Sequence, residues 1–287
     1  MARTFPLLRL LAFLSLLRPA NCVMMGFAVL IGGFIGADSR PPLGVAASGF
    51  LVGFLLTAAT MAVNDYYDAE IDKINAPHRP IPSGMVSPLE ALWTGAVLSG
   101  LGVLLSIPAG FPAFLVAVVA LALMVYYNTS GKRTGFLGNV VVSLCVALPF
   151  IYGGSAVGSI PPLLILFSAM AFSANLGREV VKGIADLMGD RVGGVRTVAV
   201  LLGEAAASRV ASLFFALSAL VSLIPLARGM VSALYIPFVA VSDSGFIWSS
   251  LKILKDPSPP NARRVKGMAL AWMLMGLLGF IAGSFKI

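Results

Sequence analysis

The stretch Asn64, Asp65, Tyr66, Tyr67, Asp68, Ala69, Glu70, Ile71, Asp72 gathers four carboxylic acids and no histidine or cysteine. At about 100° per residue, a helix through it brings Asn64, Asp68 and Asp72 into one stripe, one turn apart, and turns Glu70 elsewhere. Side-chain oxygens alone suit a hard cation such as Mg²⁺, which keeps several waters and is usually completed by the phosphates of a substrate. A solvated acidic helix end is the plainer account of such a run. Basic surroundings favour the metal-holding one.

A second acidic pair lies in Asp186, Leu187, Met188, Gly189, Asp190. Read backwards along a helix, its stripe also carries Lys182, Glu179 and Asn175, so a continuous polar wall is expected to run out of an apolar segment into its wet end. Ionisable groups inside a membrane are expensive and usually functional. The plainer account of Glu179 and Lys182 is an ion pair that glues helices together.

Basic residues suited to a diphosphate flank both motifs. Arg79 stands within His78, Arg79, Pro80, Ile81, Pro82, Ser83, Gly84, and Lys132 with Arg133 follows Tyr126, Tyr127 and Asn128. Arginine grips phosphate oxygens in pairs and lysine acts as a point charge. Each is also an ordinary basic loop residue, and its nearness to the acids is what singles it out. His78, the one histidine, has no cysteine or serine nucleophile pattern beside it and reads as a loop residue. Asp243, between Ser242 and Ser244 in an apolar run, either faces a substrate cavity or hydrogen-bonds a neighbouring helix. Cys22 and Cys145 lie in apolar surroundings without metal-ligand spacing, which points to structural burial.

These groups must be held by membrane-spanning helices. Nine apolar runs approach the roughly 20 residues that cross a bilayer: 21–37, 43–63, 88–107, 111–127, 137–157, 161–180, 204–227, 230–251 and 265–285. Ahead of them, Phe5 to Leu17 is apolar with Arg3, Arg9 and Arg18 around it and no small-residue cleavage site after it, so an interfacial helix is expected there. The chain is 59% hydrophobic and 11% charged, against about 25% charged residues in soluble domains. That excludes soluble isoprenoid synthases with aspartate-rich motifs.

The net charge of +8 is explained by topology rather than by nucleic acid. With the N-terminus cytoplasmic, Arg40, Arg228 and Lys286 fall outside, and the other seventeen of the twenty Lys and Arg fall inside. This positive-inside bias supports an odd number of spans with an external C-terminus. Outer connections such as 107–111 and 158–162 are short and uncharged, so the chemistry is expected at the cytoplasmic face. The two long inner loops, 64–87 and 181–203, follow the second and sixth spans, an offset that hints at internal duplication. The expected fold is all-α, nine transmembrane helices around a central cavity in a single domain over 1–287. Apolar walls open to lipid suit a polyprenyl chain.

Asn64 to Asp72 matches the N-D-x-x-D-x-x-x-D signature of UbiA prenyltransferases, and Asp186 to Asp190 matches the D-x-x-G-D core of their second motif. The chain thus resembles that family over nearly its whole length. The resemblance implies a helical ring, Mg²⁺ bridging an isoprenoid diphosphate, and ionisation to an allylic carbocation captured by a lipid acceptor. It implies Asn64, Asp68, Asp72, Asp186 and Asp190 as the metal-associated set, and Tyr127 and Lys132 with Asp68 as the catalytic residues. The acceptor's proton is expected to pass either to a carboxylate of the first motif, Asp68, or to the released diphosphate. Arg79, Lys132, Arg133, Lys182 and Asn175 are then the substrate-binding residues. One departure stands out, since many relatives carry an aspartate where this chain has Gly183.

Within the family, Arg18, Pro19, Ala20, Asn21, Cys22 and the run Ala76 to Gly84 look most like archaeal digeranylgeranylglyceryl phosphate synthases. Those move a geranylgeranyl group onto the free hydroxyl of geranylgeranylglyceryl phosphate. Transfer to an aromatic ring is the alternative inside the family. A secondary transporter with an inner divalent-cation site is the alternative outside it, although transporters commonly bind near the bilayer midplane at broken helices.

Overall fold

In hydrocarbon every backbone polar group needs a partner within the protein, and a helix supplies it locally. The computed structural model describes residues 6–38 and 40–285, and all its regular structure is helical. Arg3, Phe5 and Lys286 lie outside the described residues.

The helices, in chain order, are α1 (Pro6–Leu17), α2 (Pro19–Ala37), α3 (Leu43–Asn75), α4 (Pro88–Ser106), α5 (Phe111–Thr129), α6 (Phe136–Ala156), α7 (Pro162–Ala185), α8 (Leu187–Val192), α9 (Val198–Leu202), α10 (Glu204–Ala227), α11 (Tyr235–Lys255) and α12 (Pro259–Ser284). Among the described residues eight helices are long and apolar enough to cross a membrane: α2 to α7, α10 and α12. The ninth expected span corresponds to α11, which has the length but not the composition. Asp243 and the serines 242, 244, 249 and 250 lower its hydropathy.

Three features position the site. First, α3 runs unbroken for 33 residues, about 50 Å at 1.5 Å per residue, against about 30 Å of bilayer hydrocarbon. The span expected at 43–63 therefore continues straight through the first acidic motif. Second, α7 packs against α6, α10 and α12 and is the most buried candidate span, at 67%, so its polar stripe meets protein rather than lipid. Third, α2 packs against α3, α6 and α12, which brings the two ends of the chain's helical series together.

The α2–α6 crossing is as close as backbones allow. A Cβ on Gly153 would stand 2.0 Å from the Val29 carbonyl oxygen, and one on Gly32 would stand 2.1 Å from that of Phe150. Small residues permit such approaches between membrane helices, where packing rather than water drives association. Gly153→Ala is expected to force the two helices apart and to cost about 1–3 kcal/mol, the usual range for overpacking. Thermal unfolding in detergent measures this, and an unchanged Tm would mean that the contact is loose.

Candidate active site

At the end of α3 each acid of the first motif finds a specific partner. Asn64 Nδ2 donates to Asp68 Oδ2 at 2.8 Å, and Asp68 Oδ1 is paired with the Lys132 ammonium. One turn on, Asp72 accepts from Arg79 at 2.5 Å. Asp65, 2% exposed, accepts from Arg18 at 2.5 Å and lies 3.6 Å from Arg79. Glu70 points away and pairs with Lys73 on the surface. Asn64, Asp68 and Asp72 share a face as the spacing predicts, and Asp65 joins them because two arginines reach back to it.

Local structure places those cations. Arg18 adopts φ 50° between α1 and α2, a left-handed conformation uncommon for a side-chain-bearing residue, and Pro19 starts α2 immediately after it. Lys132 sits on the short 3₁₀ turn Gly131–Thr134 beyond α5. Arg79 lies in the turns after α3. Burial works against its charge, but the Asp72 and Asp65 carboxylates outweigh burial and hold it above the ordinary arginine value.

The second motif is built differently from the continuous helical stripe expected. α7 ends at Ala185, Asp186 sits at the junction with φ −104° and ψ 13°, and α8 carries Asp190 as a separate helix. The polar wall is continuous through Asn175, Glu179 and Lys182, then breaks. Asp186 lies 3.6 Å from Lys266 of α12. Asp190 is buried against the end of α3, where its field meets Lys182, Asp186, Lys132 and Asp68, so the two motifs face each other. Burial, the largest influence, pushes its carboxyl up to about 6 against the pull of Lys182. Gly183 faces Thr197, which caps α9; a Cβ there would lie 3.2 Å from the Thr197 Cβ. An aspartate at this position would crowd that cap, which gives the departure a packing reason.

Beneath the two motifs opens a cavity of about 480 Å³. Val52, Leu56, Ala117, Leu121, Val146 and Met273 are among its apolar lining, and Asn64, Arg79, Tyr127, Asn175 and Lys182 line its polar side. Asn175 donates to Ser143 at 3.2 Å, and Glu179 accepts from Arg178 at 2.8 Å with Lys182 at 3.5 Å.

Among the described residues no three His, Cys, Asp or Glu side chains gather tightly enough to hold a metal by themselves. Mg²⁺ asks less of a protein, since one or two carboxylates suffice when substrate phosphates complete the shell. The all-oxygen set of Asn64, Asp68, Asp72, Asp186 and Asp190 fits that use.

The family model for UbiA prenyltransferases matches residues 25–278. The chain belongs to this family. The prenyltransferase is 34% identical over 277 residues to the digeranylgeranylglyceryl phosphate synthase of Thermococcus sibiricus, covering 96% of this chain and 98% of that one. It is 37% identical over 278 residues to the protein of the same name from Korarchaeum cryptofilum, with the same coverage. A solved structure of a digeranylgeranylglyceryl phosphate synthase has a TM-score of 0.76 and 28% identity, covering 97% of this chain and 99% of that one. A UbiA homologue from Archaeoglobus fulgidus bound to GPP and Mg²⁺ has a TM-score of 0.66 at 18% identity, covering 94% and 99%, a likeness of fold. Membership makes the chain an integral membrane prenyltransferase and removes the transporter alternative.

The prenyltransferase does not bring every expected residue to the site. Arg133 is exposed and takes no part in the ion pairs among the described residues, and His78 is exposed in its loop. Asp243 accepts from Ser222 of α10 at 2.6 Å, the helix-bonding reading, and borders a small apolar cavity of about 40 Å³ rather than the large cavity beneath the motifs. Cys22 is buried and donates to the Leu17 carbonyl. Conversely Arg18, Asp65, Arg178 and Lys266 belong to the constellation and were not singled out for it. For Arg178 a signal existed, a second cation beside Glu179 within an apolar run.

Proposed function

We propose that this prenyltransferase moves a geranylgeranyl group from geranylgeranyl diphosphate to the free hydroxyl of geranylgeranylglyceryl phosphate and releases diphosphate. The observation that carries this reading is a cavity of about 480 Å³ with apolar walls below and cations at its mouth, set beside two facing acidic motifs. Identity to the named synthases over nearly the full length supports the choice of substrates.

In this reading Arg79 and Lys132, each already seated on a carboxylate of α3, orient the diphosphate oxygens at the mouth. Bound Mg²⁺, held by the oxygen set between α3 and α8, would supply positive charge to offset that of the departing diphosphate. Asn64 donates to Asp68 and the Lys132 ammonium pairs with it, which fixes its carboxylate at the mouth. Tyr127, buried on the cavity wall, offers an aromatic face to an allylic cation. The carbon–oxygen bond to diphosphate breaks first, the acceptor hydroxyl attacks the allylic carbon, and its proton passes to the released diphosphate. Apolar walls keep water from capturing the cation.

The deciding experiment incubates purified protein with geranylgeranyl diphosphate and a panel of acceptors, with products identified by mass spectrometry. Digeranylgeranylglyceryl phosphate is the expected product. A prenylated aromatic acid in its place would transfer the assignment to the alternative acceptor class.

The same reading puts the active site on the cytoplasmic face. In a background lacking Cys22 and Cys145, single cysteines at Asp65, Lys132, Asp186 and Arg263 should be labelled from that side of oriented vesicles. Cysteines at Arg40 and Arg228, or appended at the C-terminus, should be labelled from the other. A C-terminus on the cytoplasmic side would mean that α11 does not cross and that the spans number eight.

A further inference from the structure

The cavity mouth carries more positive charge than one diphosphate requires. Arg18, Arg79, Arg178, Lys182 and Lys266 all line it, and Glu179 is the one carboxylate among the lining residues described. These cations form two groups on different walls. Arg18 and Arg79 are seated on the acids of α3, at 2.5 Å from Asp65 and Asp72 respectively. Arg178, Lys182 and Lys266 stand on α7 and α12, apart from that set. Arg178 and Lys182 share Glu179, at 2.8 and 3.5 Å, and Lys266 comes no nearer than 3.6 Å to Asp186, which lies off the cavity wall. The Nε of Arg178 is buried without a hydrogen-bond partner. A guanidinium offers five N–H donors in a rigid planar fork, and leaving one buried and unpaired is costly.

We propose that Arg178, Lys182 and Lys266 form a second anion subsite that holds the phosphate monoester of a glycerol phosphate acceptor, while the α3 side holds the diphosphate of the donor. The inference rests on the acceptor assigned under Proposed function and adds where that acceptor's charge is held. The charges match. Three cations against Glu179 on the wall and Asp186 behind Lys266 leave a net positive charge, and a phosphate monoester carries about −1.5 to −2 near neutral pH. The fork of Arg178 suits two oxygens of one phosphate. Chemistry also requires the subsite to adjoin the donor, because the reacting hydroxyl sits on the carbon next to the one that bears the phosphate. Lys182 meets this condition, lying within the fields of Asp68, Asp190 and Tyr127. A neutral alcohol would leave this wall unsatisfied.

The test needs no variant at first. With the intact protein, geranylgeranylglycerol should show a KM about 10- to 100-fold above that of geranylgeranylglyceryl phosphate, the range for losing a charged hydrogen-bonding group. Arg178→Gln and Lys266→Gln should each raise the KM for the phosphorylated acceptor by a similar factor. Both should leave the donor KM within about threefold, and the KM for geranylgeranylglycerol unchanged. Equal use of the two acceptors by the intact protein would overturn the subsite while leaving the proposed function standing. So would a rise in donor KM alone in the variants, since the cations would then serve the diphosphate. Turnover with aromatic acids and with neither glycerol compound would overturn the proposed function and the subsite together.

Discussion

Exchanging Asp68 or Asp190 for asparagine is expected to lower kcat by about 1,000-fold, equivalent to roughly 4 kcal/mol of transition-state stabilisation. Asparagine keeps the shape of aspartate and removes its charge, and in the proposed function the charge is what both positions contribute. Asp68 and Asp190 are 4% and 6% exposed, project from different helices, and face one another across the space into which Lys132 also reaches. Removing either would leave the oxygen set that would hold Mg²⁺ with carboxylates on one side only. For Asp68 there is a second consequence. Its loss strands the Lys132 ammonium, and breaking a buried pair costs about 3–5 kcal/mol, less here because Lys132 keeps 17% of its side chain in contact with solvent. Thermal unfolding in detergent therefore accompanies the assay, so that lost activity in a folded variant can be told from lost fold. EDTA should abolish turnover in the intact protein, and added Mg²⁺ should restore it. Near-normal turnover in a folded variant would remove that aspartate from the site, and full turnover in EDTA would remove the metal from the reaction.

A donor carrying fluorine beside the reacting carbon should transfer at least about 100-fold more slowly, a barrier increase of roughly 2.7 kcal/mol, while binding almost as well as the natural donor. The reason lies in what the mouth contains. Arginine and lysine side chains line the cavity, where a departing diphosphate would meet them, and no serine–histidine pair is placed to activate an acceptor, since the one histidine is exposed in its loop. Asp68 has both carboxylate oxygens engaged, by Asn64 and Lys132. Such a site lowers the barrier by stabilising charge separation in the donor, and fluorine opposes that separation by withdrawing electrons from the cation. With chemistry shown to be rate-limiting, equal rates for the two donors would replace prior ionisation with direct displacement by an activated hydroxyl.

The helical periodicity of the sequence reveals residues that act along one helix and is silent on those that arrive from elsewhere. Asn64, Asp68 and Asp72 are legible as one stripe because the spacing of four residues alone decides it. Glu70 was legible for the same reason, as the acid that points away. Asp65 was not. It sits one residue off the stripe, and its burial follows from Arg18, 47 residues earlier, which no local window connects to it. Lys266 likewise reaches Asp186 from α12, eighty positions downstream. The continuous stripe expected through Asp186 to Asp190 is broken, because sequence periodicity does not register the interruption of the helix at Asp186. The apolar runs suggest nine spans, and among the described residues eight helices have both the length and the composition of a span, α11 being set apart by Asp243 and its serines. The family motifs read the fold class and the acidic pairs well. They had nothing to offer on Arg178, whose guanidinium reaches the cavity from beside the polar stripe.

The unbroken course of α3 also constrains how this gene can change length. Its cavity-lining residues Val52, Gly53, Leu56, Thr57, Thr60, Met61 and Asn64 and its acids up to Asp72 share one helical phase. A residue inserted between Gly53 and Asp68 would turn everything beyond it by about 100° and advance it by about 1.5 Å, carrying Asp68 and Asp72 away from Lys132 and Arg79 together. Substitutions in this stretch can accumulate one at a time, but an insertion or deletion of a single codon changes every contact downstream of it at once. Changes in length along this part of the lineage are thereby confined to the connections on either side of the helix, and the separation between the lipid slot and the acidic cluster passes from ancestor to descendant as a fixed number of residues.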